Sequence, residues 1–105
     1  MVTALHEFKA ELFKALGHPI RLRILELLVS GEKTVSELQT KLEIEASSVS
    51  QQLSLMRARQ LVDARKNGTS VFYTVRDPLI FDLLVIARQI FQNQLTQLSS
   101  LLEVE

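Results

Sequence analysis

Apolar residues recur along most of this chain at three- and four-residue spacing, the period of helices that bury one face. Leu5, Phe8, Leu12 and Leu16, with Phe13 beside them, predict an amphipathic helix over 2–16. Gly17-His18-Pro19 interrupts it, and Pro19, with its preset φ, opens a second helix through Leu22, Ile24, Leu25, Leu27 and Leu28 that Ser30-Gly31 ends. Thr34-Val35-Ser36-Glu37 reads as a capping box ahead of a short helix burying Val35, Leu38 and Leu42. A break at Glu43-Ile44-Glu45 leads to another helix with Val49, Leu53 and Met56 inward, so residues 34–60 have the layout of a helix-turn-helix.

After Leu61 the period falls to two. Residues 62–66 and 69–75 read as strands joined by Asn67-Gly68 in a primed turn, giving a lone two-stranded ribbon within 62–75, laid on the helical body with Arg65, Lys66 and Asn67 free at its tip. Of Phe72 and Tyr73, one should face in and the other out. Asp77-Pro78 starts a final helix that runs over 78–102, about 37 Å at 1.5 Å per residue. The predicted class is mainly α with a small β-ribbon, in one domain over 1–105.

Opposite Val49, the helical period places Ser47, Gln51, Ser54 and Ala58, flanked by Ser48 and Ser50. This uncharged face suits close approach to DNA, and Gln51 carries the donor–acceptor pair that matches adenine; a merely solvated polar face is the other reading. Although 12 basic and 12 acidic side chains leave no net charge, residues 46–76 hold five basic and one acidic. Arg65, Lys66, Asn67 and Thr69 would supply phosphate or minor-groove contacts, and Arg57 and Arg59 extend the positive region. Coincidence of helix-turn-helix, ribbon and local charge favours double-stranded DNA as the partner.

The last helix carries more apolar surface than one face needs: Ile80, Leu84, Ala87, Phe91, Leu95, Leu98 and Leu102 in one row, Leu79, Leu83, Ile86 and Ile90 in another. A second copy is the natural cover, through Phe8, Leu12, Leu84, Ala87, Phe91, Leu95 and Leu98. The alternative is a helix wrapped wholly within its own chain. Dimerisation would set two recognition helices about 34 Å apart and so predict a palindromic site.

At 105 residues a two-domain enzyme is excluded, and no phosphate-cradling glycine loop, nucleophile elbow or His–carboxylate pair appears, so the chain is read as no enzyme and needing no cofactor. With no cysteine there are no disulfides or thiolate metal sites, and a reducing compartment, the cytoplasm, is expected. No secretory signal opens the chain, and no membrane partner is expected, since 79–91 falls short of a membrane span.

The stretch from Phe13 to Leu25, FKALGHPIRLRIL, together with Val35-Ser36-Glu37-Leu38, Ser47–Leu53 with Leu61-Val62, and Gly68–Tyr73, resembles the ArsR/SmtB family over about residues 8–100. The resemblance implies a winged helix-turn-helix that dimerises through its N- and C-terminal helices, represses promoters and releases them to an inducer. It assigns Ser47, Ser48, Ser50 and Gln51 to DNA reading, Gln52 to the vicinity of phosphates, and the wing to the DNA backbone. The family's metal sensors carry a Cys-x-Cys element or an Asp/His/His/Glu set on the last helix. Here residues 36–41 read SELQTK and no histidine follows His18, so no metal is assigned. His18 is read as structural, and an intersubunit metal site using His6 stays an alternative, as does a protein-interaction module that keeps the helix-turn-helix only as scaffold. The effector is not legible: a small molecule, another protein, or nothing beyond protein concentration; an interface pocket among Phe8, Leu12, Leu84, Ala87 and Phe91 competes with ordinary dimer core.

Overall fold

The computed structural model describes residues 1–103. Among them the elements run α1 (Ala4–Leu16), α2 (Pro19–Leu27), a 3-10 turn (Leu28–Ser30), α3 (Val35–Leu42), α4 (Ala46–Ala58), β1 (Val62–Asn67), β2 (Ser70–Val75) and α5 (Leu79–Glu103). The helix starts have local causes, and both histidines serve at them. His6 Nδ1 accepts from the Thr3 amide at 3.0 Å while the Thr3 hydroxyl accepts from the His6 amide, a capping box with histidine in place of the usual glutamate. His18 is the N-cap of α2, its Nδ1 accepting from Ile20 N at 3.1 Å, with Pro19 next.

The predicted Thr34–Glu37 capping box is present. Glu37 accepts from the Thr34 amide at 3.0 Å, and this bond first, then the Thr34 hydroxyl, holds its carboxyl below the ordinary carboxylate range. The cap therefore stabilises the fold at neutral pH and weakens as pH falls through that lowered pKa. Glu43 ends α3 in the left-handed region at φ 57°, an uncommon conformation for a residue with a Cβ, and makes the tight turn into α4.

The core joins α2, α3, α4 and the root of the hairpin: Ile24, Leu25, Leu38, Val49, Leu53, Met56 and Val62 are fully buried. Ile80 is the buried residue of α5, with Leu83 and Leu84 half-buried against the same cluster, and every described residue from Val85 onward is exposed. The alternative of an intramolecularly wrapped helix is not what the chain adopts. Ile90, Phe91, Leu95 and Leu98 stay bare on α5, as do Leu5 and Phe8 on α1.

One expectation about the ribbon needs correction. Asn67 stays extended and pairs with Ser70, so the two-residue loop is Gly68-Thr69 rather than Asn67-Gly68. Only Gly68 takes a positive φ, 65°, which is the type II′ pattern; the expected type I′ turn would have needed Asn67 there as well. The ribbon is two-stranded, as expected, with one isolated bridge beside it. Lys33 bridges β2, exchanging hydrogen bonds with Tyr73 at 3.2 and 2.9 Å, and so ties the segment before α3 to the hairpin. Tyr73 packs against the core, while Phe72 meets Arg65.

Candidate nucleic-acid interface

Helix α4 buries Val49, Leu53 and Met56 and leaves Ser47, Ser48, Ser50, Gln51, Ser54 and Ala58 exposed. These side chains come together on one uncharged surface, and Gln51 makes no side-chain hydrogen bond among the described residues. Gln52 stands apart. It is half-buried, and its carbonyl oxygen accepts from Arg21 Nη1 at 3.1 Å, while Arg21 Nε donates at 2.7 Å to the Ala15 carbonyl near the end of α1. That contact locks α4 against the α1–α2 corner. The exit of α4 is equally fixed: Gln60 adopts φ 63° and Leu61 N donates to Met56 O at 2.9 Å, a Schellman-type end that turns the chain into β1.

The positive middle third is less free than its charge count implies. Arg59 is paired with Glu11 of α1, Arg65 with Glu32, and Arg76 with Asp63 and Gln60. Arg65 therefore does not project freely. It lies opposite Phe72, two positions back from the turn, with its guanidinium carbon 5.3 Å from the Phe72 ring centroid. Among the described residues Arg57 and Lys66 are the cations of this stretch without an ion pair, and Asn67 and Thr69 are exposed beside Lys66. Sequence reasoning missed Glu11 and Glu32 because their partners lie 48 and 33 residues away, and no local signal marks such pairs.

Lys66 is thus the wing cation most available to a phosphate. Lys66→Ala is expected to weaken binding to any duplex about three- to tenfold and to flatten the log–log salt slope by about 0.9 for each bound protomer that loses its contact. Titrations at several salt concentrations check this; an unchanged slope would place the ribbon tip off the DNA.

A broad groove of about 880 Å³ lies between α1, the α4–β1 corner and the first turns of α5, with Phe8, Leu12, Leu61, Leu83 and Ile86 on its walls. It is continuous with the bare apolar rows of α1 and α5. Leu12 and Leu84, expected at a dimer seam, also pack on the chain's own core, whereas Phe8, Ala87, Phe91, Leu95 and Leu98 are exposed. Among the described residues no three His, Cys, Asp or Glu side chains group as a metal cage, and Nδ1 of each histidine is already occupied by a backbone amide. No described helix is long and apolar enough to cross a membrane.

The sequence profile described as bacterial regulatory protein, arsR family, matches residues 18–64, from the N-cap of α2 into β1. An uncharacterized HTH-type transcriptional regulator of Mycobacterium tuberculosis, Rv0081, is 41% identical over 100 residues, which cover 94% of this chain and 88% of the relative. The chain belongs to the ArsR family. Family membership makes it a transcriptional regulator rather than an enzyme, with the winged helix-turn-helix fold. The biofilm growth-associated repressor of Xylella fastidiosa is 35% identical over 85 residues, covering 81% of this chain and 75% of that protein. Among solved structures, the Rv0081 crystal structure aligns with TM-score 0.81 over 90% of this chain and 96% of its own. The Mb0332 domain of Mycobacterium bovis, described as a homodimeric winged helix-turn-helix DNA-binding domain, aligns with TM-score 0.79 and 29% identity over 90% and 87%.

Proposed function

We propose that this ArsR-family chain is a cytoplasmic homodimeric repressor that reads a palindromic operator, with α4 in the major groove and the β1–β2 wing on the backbone. The carrying observation is the exposed, unpartnered face of Ser47, Ser48, Ser50, Gln51 and Ser54 on a helix whose other side is fully buried. Small hydroxyls let the helix backbone come close to base edges, and Gln51 supplies a bidentate match to adenine. Lys66, Asn67 and Thr69 at the wing tip, and Arg57 toward the end of α4, contribute phosphate contacts that fix register.

The bare rows of α1 and α5 support a dimer in which a second copy covers Phe8, Phe91, Leu95 and Leu98. The dimer described for Mb0332 supports the same reading. The inducing signal is proposed to be something other than a metal held at the family's usual sites, because the thiolates and imidazoles those sites need are missing. Footprinting on DNA from upstream of the chain's own gene tests the reading. Protection of a two-fold symmetric sequence overlapping the promoter is expected; protection upstream of the promoter would assign activation, and no protection would count against a local operator.

A further inference from the structure

We propose that Glu32 withholds Arg65 from DNA phosphates, so that this carboxylate lowers the chain's sequence-independent affinity. The inference rests on the reading that the wing meets DNA. Arg65 Nη2 donates to both Glu32 oxygens, each at 2.8 Å, and the guanidinium also lies over the Phe72 ring at 5.3 Å. Glu32 is held there by its backbone. Gly31, at φ 127°, turns the chain out of the 3-10 turn, and on the other side Lys33 is bonded to Tyr73 of β2 at 3.2 and 2.9 Å.

A carboxylate and a phosphate are alternative oxyanion partners for a guanidinium. With Arg65 satisfied by the first, a duplex phosphate must displace Glu32 before it gains anything. Both side chains remain partly in solvent, 56% exposed for Arg65 and 39% for Glu32, so the pair is weak enough to exchange. Non-specific binding consists almost wholly of phosphate contacts, so subtracting one cation acts directly on it. The reading face of α4 carries no charge and is untouched by the pairing.

The test uses the full chain and a scrambled duplex, with anisotropy titrations across salt for wild type, Glu32→Gln, Arg65→Ala and the double variant. Glu32→Gln is expected to tighten binding about two- to fivefold and to steepen the log–log salt slope by about 0.9 for each bound protomer. Both gains should vanish in the Arg65→Ala background. Weaker binding by Glu32→Gln would show that Glu32 presents Arg65 to DNA instead, and a gain that persists without Arg65 would reduce its role to general repulsion. Either overturns the proposal. Thermal unfolding confirms that the variants fold, and Glu32→Ser repeats the comparison with a smaller side chain. A wild type that binds no duplex at low salt would remove the DNA reading itself, an outcome visible before any variant is compared.

Discussion

Phe91→Glu is expected to leave a folded monomer and to weaken operator binding by at least about 100-fold. Phe91 is 59% exposed on α5, among Ile90, Leu95 and Leu98, and packs on nothing in its own core. Its substitution therefore removes no contact from the chain's own core, and the unfolding midpoint should fall only by what the partner contributed and become independent of protein concentration. In the proposed dimer the same position lies in the seam, where an unpaired carboxylate would cost on the order of several kcal/mol. Two half-sites engaged together gain on the order of 10²–10⁴ in affinity over one, and that gain disappears with the partner. Sedimentation gives the check: a Phe91→Glu protein that still sediments as a dimer would move the seam away from α5.

Gln51→Ala should lower operator affinity by about 1–3 kcal/mol for each half-site while leaving binding to scrambled DNA unchanged. Gln51 is exposed and unpartnered, so its removal strands no group inside the protein. The contrast with Gln52 is instructive. Gln52 is bonded to Arg21, so Gln52→Ala would loosen the seating of α4 as well as any DNA contact. A uniform loss by Gln51→Ala on both duplexes would assign it to the backbone, not to a base.

The helices were legible because their signals are local. Thr34 and Glu37 form the predicted cap, Pro19 opens α2, and Val49, Leu53 and Met56 are all fully buried. What escaped depends on contacts between distant segments or on backbone angles that side-chain type does not mark. Glu43 and Gln60 take left-handed conformations with no glycine to announce them. The hairpin loop moved by one residue because Gly68 alone satisfies a type II′ turn. The isolated bridge from Lys33 reaches Tyr73, forty positions on. At the candidate interface, the α4 face followed from helical period, whereas the pairing of Arg59 and Arg65 with Glu11 and Glu32 could not follow from counting charge by segment.

The uncharged face of α4 is the surface proposed to read sequence. A fluorescence-anisotropy titration tests it most directly, with DNA from upstream of the chain's own gene set against a scrambled duplex at two salt concentrations, for wild type and Gln51→Ala. A preference for the native fragment that survives higher salt and shrinks in Gln51→Ala by about 5- to 150-fold for each half-site is the predicted result. Equal weak binding to both duplexes, collapsing together as salt rises and indifferent to Gln51, would contradict it.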